Sequence, residues 1–535
     1  MLTHKDAETA AAMAVTDKGR AEETPASSEG AEAPRPSPRA AAGAAGVPWP
    51  SVGCQCLSAA ALMCQTLAQG MAQGWSSPGV SKLMHGEGPF VPTAEERTWI
   101  VSLFELGLLP GSVVSWAVFT RLGRPYTLSV APLAFLVWVL LTYFASSAGH
   151  LYAARLLAGT GMGVNFTFSS IYLGEMATPV MRSVLILVMT LLAPSGQLLA
   201  FVIGPQLTYW QEALSPLPLI AASLLLHLFC TRESPFFLAM EGRHEDAEAV
   251  LFKLRRGHEP AAVREEMAKI RRSVQRQMEE AQSWRDTLSP PGVKRAALIV
   301  MVLSGSPALF GVTTVLSFTQ SIFEEAGAPI PKVASMLVIG VKVVMIVVSM
   351  YLVERLGRRV QLSATAIINF IAMVAMSGYF FVKEHLTVDL GPAKWVPLVA
   401  LMAFMAATGG GVIPVSHVLQ GELLSQRAKM IVAPLSAVLL SATSFGTQQA
   451  FGALGKIGEY FIPFGVFALT NLFIAVFTIL VVPETRGRTL VRVQDELRER
   501  ALSSTASRQQ LVEHGQHEQD QDGTLAEREH AAGSA

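Results

Sequence analysis

Charge is scarce in this chain. Asp, Glu, Lys and Arg make up 15% of its 535 residues, against 51% hydrophobic. A water-soluble fold of this length needs a much larger charged shell. Lys plus Arg equals Asp plus Glu, 41 each. No net field draws a polyanion, so no nucleic-acid partner is expected. Cysteine is sparse too, with Cys54, Cys56, Cys64 and Cys230 all in or beside apolar stretches. That excludes a disulfide framework. Palmitoylation of Cys54 or Cys56 and plain buried thiols both fit. Asparagine occurs three times, at Asn165, Asn369 and Asn471. The one sequon, at Asn165, falls inside an apolar block, out of reach of glycosylation. Metal-ligand spacing, a phosphate loop and a nucleophile arrangement are all missing. No catalytic residue, metal or cofactor is expected, and no enzyme.

What is abundant is apolar sequence in blocks of about 20 residues, each long enough to cross about 30 Å of hydrocarbon as a helix. Only helices satisfy their own amides there without closing a barrel. Twelve blocks are expected, near 51–75, 97–119, 126–146, 151–174, 183–205, 213–230, 296–320, 333–353, 360–382, 395–419, 431–455 and 460–482. The expected order is a disordered cytoplasmic tail (1–49), a six-helix bundle (50–231), a cytoplasmic helical linker (232–294), a second six-helix bundle (295–483) and a mostly disordered cytoplasmic tail (484–535). Most of the Lys and Arg then lie on the cytoplasmic side. In the linker, Phe237, Met240, Ala247, Val250, Leu251 and Leu254 fall at helical spacing, and a further helix is expected over about 260–283. The fold class is all-α: twelve transmembrane helices in two pseudo-symmetric six-helix bundles.

The halves echo each other. Arg121, Gly123 and Arg124 follow the second span; Glu354, Arg355, Gly357 and Arg358 follow the eighth. Glu175 and Arg182 follow the fourth; Glu422 and Lys429, again seven residues apart, follow the tenth. Glu233 follows the sixth and Glu484 the twelfth. Matched signatures mark parallel repeats that rock against each other about a mid-membrane site. Glycine permits a tight turn. Arg and Glu at helix ends can pair with each other and with helix dipoles. Such pairs are expected to lock the outward-open state and to break when the protein opens inward.

Polar groups inside spans are the candidate site. Gln65, Gln69 and Gln73 form a stripe on the first span. It fits either a cavity lining or hydrogen bonding between helices beside Gly70 and Gly74. Glu105, Arg155 and Lys342 are ionisable and deep in their spans. Glu105 could carry a proton while Lys342 and His417 bind a polar or anionic solute. Alternatively, Glu105 pairs with Arg155 and Lys342 snorkels to a cavity mouth. Gly411 and Pro414 break the tenth span and read as a hinge. Gln197, Gln448 and Gln449 could also face a cavity.

These motifs resemble the sugar porter family of the major facilitator superfamily, and within it the arthropod facilitated trehalose transporters. The carrying residues are LGR at 122–124, Arg155 with Gly159 and Gly163, YLGEMATPVMR at 172–182, and ESPFFLAMEGRHEDAEAVLFKLRRG at 233–257. They continue with SIFEEAG at 321–327, VERLGRR at 353–359 and VPETRGRTL at 482–490, supported by GWSSP at 74–78. The resemblance covers about 50–490. It implies a plasma-membrane carrier of a small polar solute by alternating access, sugar by default. A non-sugar carrier, for instance of an organic acid, and a non-transporting sensor are the alternatives. It also implies a sugar pocket of amides and one tryptophan, from which this chain departs. Thr190, Pro307, Ala308, Thr313, Lys342, His417 and Leu440 occupy the expected amide and tryptophan positions. Thr120, Ser183 and Met430 likewise replace usual residues of the cytoplasmic motifs.

Overall fold

The computed structural model describes residues 49–121, 123–279, 284–386 and 391–486, with 492, 496, 497 and 499 beyond them. The tail at 1–48, the rest of the chain after 486, and Leu122 lie outside the described residues. So do the side chains of Thr120, Ser183 and Met430.

The described residues are helical. The first span is α1 (Trp49–Gly74) and α2 (Ser76–Met84), broken at Trp75. Next come α3 (Ala94–Arg121), α4 (Arg124–Tyr143), α5 (Ala148–Met176) and α6 (Pro179–Ile203). The sixth span is α7 (Tyr209–Leu214) followed by α8 (Leu217–Phe229). The linker holds α9 (Pro235–Met240), α10 (His244–Leu254), α11 (Pro260–Glu279) and α12 (Trp284–Leu288). The second half begins with α13 (Pro291–Leu309) and α14 (Val312–Ala326), followed by α15 (Pro331–Leu356) and α16 (Arg358–His385). It ends with α17 (Val396–Ala407), a π turn (Thr408–Val412), α18 (Ile413–Leu423), α19 (Gln426–Lys456) and α20 (Phe461–Val481). Ten stretches are long and apolar enough to cross a membrane by length and composition. The other two spans, α3 and α5, are 28 and 29 residues long and pack on each other.

That packing is set by glycine. A Cβ on Gly107 would strike the Leu156 carbonyl, and one on Gly159 the Phe104 carbonyl. Gly111 and Gly163 repeat this one turn further along, against Thr160 and Leu108. The two backbones approach as small residues allow in lipid. Gly70 and Gly196 do the same for α1 and α6.

Chain direction alternates, so all six matched signatures fall on one side, here called the motif face. Helices α9–α12 sit on it. Arg255 donates to the Met176 carbonyl at 2.9 Å, and Ser51 donates to the Leu254 carbonyl at 2.9 Å. Phe237, Ala247, Leu251 and Leu254 are buried as their spacing predicts, whereas Met240 is exposed. Helix α11 carries its own stripe, Val263, Met267, Ile270 and Val274, which closes a small core with Leu238, Ala247 and Leu251. Its charged faces hide that stripe in a residue-by-residue reading.

The repeat holds at the level of atoms. Gly123 has φ +92° and Gly357 has φ +84°, a region that costs a side chain strain. A Cβ at either would collide with a carboxylate, that of Glu233 or of Glu484. Those carboxylates cap the next helix. Glu233 accepts from the Arg124 amide at 3.0 Å; Glu484 accepts from the Arg358 and Arg359 amides, both at 3.1 Å.

The two halves meet along two seams, α3 against α19 and α6 against α15. At the face opposite the motifs, the far face, they are also joined through α2 and α14. Gln320 donates from its backbone to Ser77 at 3.1 Å and from its side chain to Ser81 at 2.8 Å. Ser81 in turn donates to Glu324 at 3.0 Å. Lys456 pairs with Glu95 at 3.4 Å, and Gln449 donates to Ser102 at 2.8 Å. The far face is closed.

Candidate functional site

Arg155 is the most constrained of the predicted side chains. It is 1% exposed, and its donors reach the Ile100 carbonyl at 3.2 Å, the Ala72 carbonyl at 2.6 Å and the Ser76 hydroxyl at 2.5 Å. Its guanidinium lies 4.3 Å from the centre of the Phe104 ring. Ala72 and Ser76 flank the break at Trp75, so Arg155 holds the kinked first span. The expected ion pair with Glu105 does not form; Arg155 spends its donors on the kink.

The glutamine stripe divides. Gln65 and Gln69 are buried between helices. Gln65 donates to Asn165 at 2.6 Å and meets the His227 ring at 2.9 Å; Asn165 donates to Gln69 at 2.6 Å and to Thr66 at 3.0 Å. Ser169 completes the cluster with a 2.5 Å bond to Asn165. These two amides glue α1 to α5 and α8, the packing alternative weighed above. Asn165 and His227 were not legible as its partners, because their helices lie about a hundred residues or more away in sequence.

Gln73 belongs to a different set. It accepts from Gln197 at 2.5 Å, and Gln197 accepts from Lys342 at 3.2 Å. Both Glu105 and Lys342 are buried, at 2% and 4% exposure. Lys342 is therefore inside the α6–α15 seam and does not snorkel to a cavity mouth. Oε1 of Glu105 has no partner among the described residues.

Towards the motif face two exposed rings meet between the halves, in a region here called the vestibule. His417 on α18 is exposed, as is Phe166 on α5, and their ring centroids are 6.3 Å apart. They come from opposite halves, so the space they border lies between the halves. Thr190 is also exposed, two turns from Gln197 on the same face of α6. Thr313, just past the turn at Gly311, has a buried hydroxyl with no partner among the described residues. Phe166 was not singled out in the sequence; its position next to Asn165 was the one available signal. Gln448 is buried in the second half, donating to Ser317 at 3.4 Å, and does not reach the vestibule groups.

The expected hinge is a π turn. Thr408–Val412 contains Gly409, Gly410 and Gly411, with Pro414 following. Gln361 donates to the Gly410 carbonyl at 2.6 Å, and Gly409 leaves room for the Lys342 backbone. A turn of this kind inside a helix frees carbonyls that a side chain then satisfies.

On the motif face, Arg124 holds Glu175 at 3.0 Å and Arg358 holds Glu422 at 2.8 Å. Each pair stays inside its own half. Both are intact while the far face is closed, which corrects the expectation that these pairs break in that state. They brace each half. Arg182 reaches no further than the Ala177 carbonyl, at 3.5 Å. Arg121 and Glu354 are exposed. Arg355 lies over the Tyr351 ring, 5.2 Å from its centre. Burial pushes the Lys429 ammonium below its ordinary value. The two capping carboxylates differ. Burial lifts Glu233 above the usual carboxylate range. At Glu484 burial also acts upward, but the amides of Arg486, Arg358, Arg359 and Thr485 outweigh it and hold the group below that range.

Comparison with known proteins places this geometry. The model of the family described as sugar (and other) transporter matches residues 58–497. Facilitated trehalose transporter Tret1 of Polypedilum vanderplanki is 27% identical over 470 residues, covering 85% of this chain and 91% of that protein. Tret1 of Drosophila pseudoobscura pseudoobscura is 27% identical over 474 residues, and there this chain spans 53% of the longer relative. Among solved structures, the partially occluded inward open form of the xylose transporter XylE from E. coli superposes with a TM-score of 0.68 at 18% identity, over 82% of this chain and all of that one. Its inward open form gives 0.66 at 16% identity, over 82% and 98% of the two chains. These two likenesses are of fold. With the family model running from the first span to beyond the last, the chain belongs to the sugar (and other) transporter family and is a multi-pass membrane transporter of a small polar solute.

Proposed function

We propose that this transporter carries a sugar across the plasma membrane by alternating access, with the motif face and both termini in the cytoplasm. The observation that supports it best is the pair of exposed rings, Phe166 and His417, that face each other from opposite halves, with the Thr190 side chain exposed on α6. Sugars need both kinds of surface. Their CH faces pack on flat rings, and their hydroxyls need donors and acceptors. The sugars in the names of the relatives, trehalose and xylose, agree with this substrate class. The lost amides of the resemblance are thus read as a rebuilt pocket. The organic-acid and sensor readings draw no support from the family. The orientation rests on the basic residues of the motif face, including Arg121, Arg124, Arg182, Arg358 and Lys429. We also assign a proton as coupling ion, bound at Glu105, whose buried carboxyl has one unpartnered oxygen.

Uptake of labelled trehalose, glucose and xylose into transport-deficient cells tests the substrate class. Phe166→Ala and His417→Ala are expected to raise the half-saturation concentration about tenfold, as loss of one good contact does. Saccharide uptake that is indifferent to both variants, at equal surface expression, removes this pocket from the account.

A further inference from the structure

The buried cation between the halves lacks a counter-charge. Lys342 is 4% exposed and stands near the middle of α15. Its one side-chain bond crosses to the other half, Nζ donating to Gln197 Oε1 at 3.2 Å. An ammonium has three donors, so two are left over. Among the described residues no carboxylate lies within ion-pair distance of it. The elements packed on α15 show why. Helix α17 and the π turn carry no charged side chain, and Arg182 on α6 sits at the motif end. The carboxylates of α14, α16 and α18 lie at span ends and are engaged there. Glu324 accepts from Ser81 at 3.0 Å, and Glu325 pairs with Lys383 at 3.2 Å. Glu384 accepts from the Tyr460 amide at 2.9 Å, and Glu422 holds Arg358. Glu354, on α15 itself, is about three turns further along, at the motif end. Glu105 is on α3, which meets the second half at α19.

A buried ammonium with no anion beside it is far less stable than a paired one. A transporter can supply the anion with its solute. The place fits, because carriers built from parallel repeats hold the solute near mid-membrane between the halves. The ammonium is also aimed. Gln197 Nε2 is committed to Gln73 Oε1 at 2.5 Å, which turns Gln197 Oε1 to Lys342. We propose that Lys342 receives a carboxylate of the solute, so that the preferred cargo is an acidic sugar of the uronate or aldonate class. Carboxylate rather than phosphate follows from charge. A phosphate ester carries about two negative charges and is met by several basic donors. Here there is one ammonium. The other deep cation, Arg155, commits its donors to Ile100, Ala72 and Ser76. Neutral sugars share the ring and hydroxyl contacts but bind more weakly, because they leave the ammonium unpaired. Gln73 and Gln197 are positioning residues, and Lys342 touches the solute. This inference deepens the sugar reading and rests on it.

Counterflow in proteoliposomes tests it, because exchange of like for like needs no membrane potential. The probes are labelled glucuronate and labelled glucose. The parent is expected to half-saturate at a glucuronate concentration about tenfold or more below that for glucose. Lys342→Met is expected to shift the ratio of the two half-saturation concentrations by about tenfold and so remove the preference. Equal half-saturation in the parent, or an unchanged ratio in the variant, overturns the carboxylate site. Displacement of glucuronate by glucose 6-phosphate at lower concentration than by unlabelled glucuronate overturns the choice of carboxylate over phosphate. The unfolding midpoint in detergent guards against misfolding. Without solute, Lys342→Met is expected to melt no lower than the parent, since an apolar group replaces an unpaired charge. Glucuronate is expected to raise the parent's midpoint and not the variant's. A variant that melts lower without solute points to a structural role for Lys342 and contradicts the site. Exchange of glucose alone leaves the sugar reading standing and removes the carboxylate site. If neither probe is exchanged, the sugar reading fails, while the glucuronate effect on the midpoint still decides for or against Lys342.

Discussion

Arg155 carries five N–H donors into a span where no water can receive them. It survives there because α1 is broken at Trp75, which frees the Ala72 carbonyl and turns Ser76 inward. Arg155→Lys keeps the charge but cannot fork to three acceptors. It is expected to cost about 2 kcal/mol, through acceptors left unmet, read as a lower unfolding midpoint in detergent. An unchanged midpoint would mean the kink holds without its clamp. At this scale the sequence was partly legible. Charged residues such as Arg155 and Lys342 announce themselves against an apolar background. Their partners do not, because carbonyls and amides are supplied by helices distant in sequence. So Lys342 reads in the sequence either as a solute-binding group or as snorkelling to a cavity mouth, and in the structure Gln197 holds it in the seam.

At the scale of elements, glycines decide how close helices come. Gly159→Val would drive two methyls into the Phe104 carbonyl and spread α3 from α5. Loss of monodisperse protein on size-exclusion chromatography is the expected result, while Gly174→Val, which meets open space, is expected to behave as the parent. The capping carboxylates respond to pH in opposite senses. Glu484 is held below its unfolded value of 4.5, so its contribution is present above that value and fades as pH falls through the lower folded one. Glu233 is raised, so its contribution is greatest below 4.5 and fades as pH rises through the higher folded value. Hydrogen exchange on acidification should therefore loosen the Gly357–Glu484 cap before the Gly123–Glu233 cap. The reverse order would contradict the assignment. Both caps were visible in the sequence as repeated Gly, Arg and Glu, because tight turns restrict residue choice. The stripe on α11 was less visible, since its apolar residues are interleaved with charge.

For the whole molecule, the twelve-span plan was readable because hydrocarbon imposes one solution on an apolar block. Which face is closed was not readable, since one sequence serves both conformations. Here the far face is sealed by Gln320, Ser77, Ser81 and Glu324, while the ion pairs of the motif face stay within their halves. Gln320→Leu removes the side-chain bond to Ser81 across the halves and leaves the backbone bond to Ser77 in place. It is expected to increase far-face opening about twofold, read as the distance between spin labels at the exposed positions Val91 and Ile457, and no change would move the seal elsewhere. The frame and its cargo are separate questions. Turns, glycines and caps fix the frame. Phe166 and His417 meet between the halves, and Thr190, Thr313 and His417 stand where the resemblance implies amides and a tryptophan. The direct measurement is flux: purified protein in liposomes, with counterflow of labelled trehalose, glucose and xylose. The account predicts saturable exchange of at least one saccharide, weakened by His417→Ala. Verified protein in sealed liposomes that exchanges none of them would contradict it.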